Sequence, residues 1–195
     1  MGDLLRDGLI LIPQEGCMNR AVAVCITIVV LISAAAALMA APPAKEGVAV
    51  IYPASGSACR GLVRIVQDAS SIKIVADIEG LAPGSKHAFH IHEFGDCSAP
   101  DASSAGSHYD PAQTKHHGMP NDKMSHAGDM GNIEADTNGK LHFELTLEGA
   151  SLDGPEAPVL GRAVIVHANP DDFSQPVGNA GGRIGCGVIG LAKPK

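Results

Sequence analysis

The chain has 195 residues, a formal charge of −7, no tryptophan, four phenylalanines and two tyrosines. That balance excludes a basic face built for nucleic acid, and the modest acidity otherwise bears on solubility. With so few aromatics, a core must come from Val, Ile, Leu and Ala, and the length alone allows one domain or a small pair.

Residues 21–41 carry no charge and are apolar almost throughout. Arg20 precedes this run, and small residues (Ala40, Ala41) followed by Pro42 and Pro43 close it. A basic flank, an apolar run and a small-residue end read as a secretory signal peptide. The alternative is an uncleaved signal anchor, because about 20 apolar residues can span a bilayer. Asp3, Asp7 and Glu15 are unusual ahead of such a run, so Met18 is an alternative start. Val24 is too bulky before Cys25 for a lipoprotein cleavage site. The expected organisation is therefore an N-terminal extension with signal peptide or anchor over 1–41 and a single domain over 42–195. The domain is exported to a periplasmic or extracellular location, and meets membrane only if the N-terminal segment stays uncleaved. Its formal charge is −6, and it retains Cys59, Cys97 and Cys186. An odd number of cysteines in an exported domain implies one bridge and one remaining thiol.

The domain opens with a short strand over Val48–Ile51. Leu62–Val66 and Ile72–Ile78 alternate apolar and polar residues with period 2, the mark of half-buried strands. Lys86–His92 follows the Pro83-Gly84 turn. Leu141–Leu147 alternates after Asn138-Gly139, a hairpin dipeptide. Ala163–His167 and Gly187–Ile189 complete the set. About eight short strands without helical periodicity predict an antiparallel Greek-key sandwich or barrel.

Between His90 and Asp129 lies a long stretch rich in Gly, Pro, Ser and Asp that holds six of the nine histidines. Those residues favour turns, and a long loop inside a compact domain is commonly functional. His90 and His92 stand two apart on a strand, so their side chains leave the same face. His108, His117, His126 and Asp129 follow at spacings that a folded loop could bring together, and three nitrogens with one carboxylate suit tetrahedral Zn2+. His116, beside His117, is an equal candidate on spacing alone. His167 ends an apolar strand; joined to His90 and His92 it would form an imidazole site suited to copper. Taken singly, His167 and each loop histidine is more often an ordinary rim or surface residue, and for His90 and His92 that reading stands level with the ligand one; their succession is what argues for metal. His87 reads as structural and His142 as solvent-facing. Gly185 to Gly190 formally matches a dinucleotide fingerprint, but no helix or ribose-binding acid follows it.

The domain resembles the copper-zinc superoxide dismutase family over nearly its whole length, in its exported, bacterial-like form. The resemblance rests on His90-Ile91-His92-Glu93-Phe94-Gly95-Asp96, Ser104 to His108, His117-Gly118, His126-Ala127-Gly128-Asp129, and Val166-His167 with Pro170-Asp171-Asp172. Gly178 to Arg183 and Cys186 to Gly190 match as well. The family implies an all-β, eight-stranded Greek-key barrel with long metal-binding and electrostatic loops, one Cu and one Zn per subunit, and dismutation of superoxide to O2 and H2O2. It implies His90, His92, His108 and His167 as copper ligands, and His108, His117, His126 and Asp129 as zinc ligands, with His108 bridging. It selects His117 over His116. It further implies Asp171 as a carboxylate joining His90 to His117, Arg183 and His108 as catalytic, a Cys97–Cys186 disulfide, and a homodimer. Cys59 has no counterpart and is the expected free thiol. Two departures stand out: the connection from Asp171 to Gly178 is short and lacks charged guidance residues, and Met119 replaces a common Gly. The same residues could serve a periplasmic copper carrier, which has no need of Arg183, or a zinc-held structural domain, which has no need of His90, His92 and His167.

Overall fold

Eight strands account for the architecture of the computed structural model, which describes residues 45–193. The expected signal segment over 1–41, with Cys17 and Cys25, lies outside the described residues. Among those described, no helix is long and apolar enough to cross a membrane.

The strands are β1 (Glu46–Pro53), β2 (Arg60–Asp68), β3 (Ser71–Glu79), β4 (Lys86–His92), β5 (Asp129–Glu134), β6 (Lys140–Glu148), β7 (Ala163–His167) and β8 (Arg183–Leu191). They pair antiparallel in the order β5-β4-β7-β8-β1-β2-β3-β6. Strand β8 pairs with both β7 and β1 and so joins the two halves. The outer strands β5 and β6 approach one another, leaving a nearly closed barrel. The connections β3 to β4 and β6 to β7 cross between halves, which gives the Greek-key character. The predicted all-β fold is the observed one.

Periodicity explains the interior. Ile72, Ile74, Ala76 and Ile78 of β3 turn inward while Lys73 and Asp77 face solvent. They meet Ile51, Val63, Ile65, Phe89, Ile91, Ile133 and Ile189 in the main core, where Phe143 sets its ring edge-on to Phe89 at 6.0 Å. Each fully buried Ile or Phe contributes about 1.5–3 kcal/mol from surface removed from water. Cross-strand ion pairs such as Lys73–Glu144 at 2.8 Å lie outside and add little.

Strand β4 departs from simple alternation, being buried at every position after Lys86. Phe89 and Ile91 point into the core, and His90 and His92 point the other way yet are 0% and 1% exposed, because loops cover that face. This places two imidazoles in a desolvated layer between barrel and loop. A small second cluster of Ala54, Ala102, Ala105, Ala163, Ile165 and Cys186 anchors the covering loop, and a disulfide joins Cys97 to Cys186 there. Among the described residues Cys59 is the free thiol, and burial pushes its pKa up to about 11.

Two expectations need correction. Strand β5 does not stand out in the sequence, since Asp129-Met130-Gly131-Asn132-Ile133-Glu134 contains a Gly at φ +76° and no alternation. Asn138-Gly139 does make a turn, but β5 and β6 form no ladder; the Asp136 carboxylate instead accepts bonds from the Asn138 and Lys140 amides at 2.8 and 2.9 Å.

Candidate metal centre

Loop segments reach the β4 histidines by imitating strands. Tyr109 N–H donates to the Ile91 carbonyl and Ile91 N–H to the Gly128 carbonyl, both at 2.9 Å. Gly128 must be glycine, because a Cβ there would lie 2.2 Å from the Ile91 oxygen. His108 thereby lies beside His92 in a bridge pair, and the turn before Asp129 delivers His126. His167 arrives from the end of β7, at a register shift.

One ligand-capable atom each from His90, His92, His108 and His167 fall within 4.8 Å of one another, and so do those of His90, His108, His117 and Asp129. His90 and His108 are common to both groups, and the His90 and His108 rings lie 4.0 Å apart. His126 stands just beside the second group, its Nδ1 3.3 Å from Asp129 Oδ1. His117 is buried while its neighbour His116 is exposed.

Hydrogen bonds fix which ring nitrogen is free. His92 Nδ1–H donates to the Gly106 carbonyl at 2.9 Å, leaving the Nε2 lone pair. His90 Nε2–H and His117 Nε2–H both donate to the Asp171 carboxylate at 2.9 Å, leaving Nδ1 on each ring. Those two Nδ1 atoms are buried without a hydrogen-bond partner. His117 Nδ1 lies 3.0 Å from Asp129 Oδ2, but not in the alignment of a hydrogen bond. His92 Nε2 and His167 Nε2 face each other at 3.3 Å. Buried ring nitrogens that converge on common points without a hydrogen-bond partner are what a bound cation resolves.

Electrostatics agree with that chemistry. Burial, then the neighbouring imidazoles, hold His92 well below its ordinary pKa and press His167 down to about 3. Burial likewise lowers His108 to about 4, against the opposing pull of Asp129. For His117, burial is outweighed by Asp129 and Asp171, which raise it to about 9. Burial also works against ionisation of both carboxylates, and bonds from His117 with His108 or His90 hold each far below the usual range. The centre thus offers neutral imidazoles on one side. On the other it offers ionised carboxylates with a proton that a cation would displace. The donor set fits copper at the four imidazoles and zinc at the mixed imidazole–carboxylate group.

The Asp171 segment is itself held. Asn132 of β5 donates to the Asp171 carbonyl at 2.9 Å and accepts from its amide at 2.7 Å. Gly178, at φ +72°, passes so close that a Cβ would meet Asp171 Oδ1 at 1.9 Å. Neither Asn132 nor the two backbone carbonyls on the His92 and His167 rings, Gly106 and Gly181, is marked by its residue type. A recess of about 370 Å³ opens on His92, His108 and His167, and Arg183 is its one formally charged lining residue. The Arg183 guanidinium donates to the Ala102 and Gly106 carbonyls, each at 2.5 Å. His87 is structural, its Nδ1–H donating to the His167 carbonyl at 2.8 Å. His142 is exposed and pairs with Asp77 at 2.7 Å.

Comparison with known proteins agrees with this reading. The family model described as copper/zinc superoxide dismutase matches residues 59–189. A superoxide dismutase [Cu-Zn] of Paramecium bursaria Chlorella virus 1 is 45% identical over 141 residues, covering 69% of this chain and 74% of the relative. An extracellular superoxide dismutase [Cu-Zn] of Brugia pahangi is 37% identical over 155 residues, covering 74% of this chain and 75% of the relative. The crystal structure of the clock protein EA4 superposes with a TM-score of 0.70 at 37% identity, covering 78% of this chain and 98% of that one. The chain belongs to the copper/zinc superoxide dismutase family and is an enzyme of that type.

Proposed function

We propose that the enzyme dismutates superoxide at a copper position made by His90, His92, His108 and His167, beside a zinc position made by His108, His117, His126 and Asp129. The observation that carries this is the pair of buried nitrogens without a hydrogen-bond partner, His90 Nδ1, common to both groups, and His117 Nδ1, in the second. Bound copper supplies a one-electron redox couple, and zinc supplies fixed charge without redox chemistry. Two superoxide ions and two protons become O2 and H2O2. Arg183 draws the anion into the recess, a local positive fork in a chain of net charge −7. His108 holds and delivers one proton at Nε2, the nitrogen left over by its Nδ1 contact with Asp129 at 3.0 Å. Asp171 keeps the His90 and His117 rings turned so that Nδ1 of each faces inward. The copper-carrier alternative is disfavoured by Arg183 at the mouth of the recess. The test is superoxide consumption with copper and zinc counted on the same sample: near one of each per chain with fast turnover is expected, and both metals without turnover would favour the carrier.

We further propose an exported homodimer. The disulfide and the extracellular relative support export. Val50 and Val188, on the adjacent strands β1 and β8, are both exposed, and exposed apolar side chains on one sheet face are what an interface buries. Val188→Asp is expected to convert a dimer to a monomer by sedimentation while the far-ultraviolet spectrum is kept; an unchanged sedimentation coefficient would remove this face from the interface.

A further inference from the structure

The short connection after Asp171 lacks charged guidance residues, but it carries a side chain that does something else. Gln175 Oε1 accepts from the His117 amide at 2.9 Å, and Gln175 Nε2 donates to the His117 carbonyl at 2.7 Å. The side-chain amide thus occupies both hydrogen-bonding groups of one residue 58 positions away, as a neighbouring strand would. No regular element flanks His117 to do so, because residues 111–128 contain no strand. His117 is then gripped from two sides by one loop. Asp171 takes its Nε2–H, and Gln175 takes its peptide. Phe173, between them in sequence, lies near-parallel to the His117 ring at 6.3 Å.

We propose that Gln175 is a positioning residue for the zinc position: it fixes the His117 backbone, and thereby the direction in which Nδ1 points. This rests on the reading of His117 as a zinc ligand. A ligand ring has two determinants, its torsions and the place of its Cα. Asp171 sets the first, and Gln175 sets the second. Gln175 is itself solvent-exposed, so water replaces part of the bond when it is lost. The effect therefore falls at the low end of the 10- to 100-fold typical of groups behind metal ligands.

The test uses the full-chain holoprotein and three variants. Gln175→Met keeps length and bulk but removes both hydrogen bonds, Gln175→Ala removes bulk as well, and His117→Ala removes the ring. Zinc is competed away by a chelator, and Co2+ is loaded separately as a visible-absorbing stand-in at the same position. The expected result is a zinc dissociation constant raised about 10-fold in both Gln175 variants, with a shifted Co2+ spectrum and unaltered copper binding. Wild-type affinity and spectrum in Gln175→Met would overturn the inference, leaving at most a packing role. Equal loss of copper and zinc with an unshifted Co2+ spectrum would overturn it too, as general destabilisation. If His117→Ala keeps wild-type zinc affinity, the ligand reading itself fails, which is a separate outcome from failure at Gln175 alone.

Discussion

His167→Ala should abolish superoxide turnover while leaving zinc content and fold in place. The reason is local. The imidazole ends β7 with its Nε2 3.3 Å from His92 Nε2, and its one other polar contact is a long 3.4 Å approach to the Gly181 carbonyl. Losing that contact costs on the order of 1 kcal/mol, and the His167 carbonyl still receives the His87 ring at 2.8 Å. The activity loss should be at least about 100-fold, since groups merely supporting a ligand already cost 10- to 100-fold. Arg183→Ala makes the contrast. It should retain both metals and lose turnover by about 10-fold or more, as local field focusing raises encounter rates by 10 to 10³. Copper content and activity measured together decide both. Full activity in His167→Ala would remove that residue from the copper position, and unchanged turnover in Arg183→Ala would remove the anion-guiding role.

Asp171→Asn should weaken both metals at once. The carboxylate accepts from His90 Nε2 and His117 Nε2, each at 2.9 Å, and from the Phe173 amide at 2.8 Å. An amide of the same size has one acceptor oxygen, so an N–H must face either the His90 ring or the Phe173 amide, and relieving that contact turns the side chain or a ring. A turned ring presents the wrong nitrogen. Copper and zinc dissociation constants are each expected to rise by about 10- to 100-fold. Titration of the two metals separately checks this. A change confined to zinc would show that the His90 link plays no part in holding copper.

The sequence exposes some of this and conceals the rest, for physical reasons. Alternation in 72–78 and 141–147 reveals strands because one face of each is wet. Strand β5 is hidden by Gly131, and β8 is longer than its apolar core suggests. In β8, Gly185, Gly187 and Gly190 have no side chains to mark a face, and Gly187 is the residue that fits, since a Cβ there would lie 2.5 Å from the Val50 carbonyl. The histidines are visible through their spacing on a strand and along a turn-rich loop. Burial of His90 and His92 is not visible, because it depends on a loop folding back over the strand. The groups that orient the rings are invisible by kind: two are backbone carbonyls, and Asn132 and Gln175 act across 39 and 58 residues.

One of those carbonyls does double duty. The Gly106 oxygen receives His92 Nδ1–H and the Arg183 guanidinium together. The rotation of one ring and the location of the Arg183 charge are therefore geared to a single peptide plane. That plane belongs to a stretch tethered at Cys97, with Gly106 itself at φ +75°. No substitution can delete the oxygen itself, but a Cβ at Gly106 would meet Glu93 Oε1 at 2.3 Å and shift the peptide that carries it. The coupling remains open to displacement of the loop as a whole. Because that stretch is tethered at Cys97, the ring and the Arg183 charge share one covalent anchor on β8.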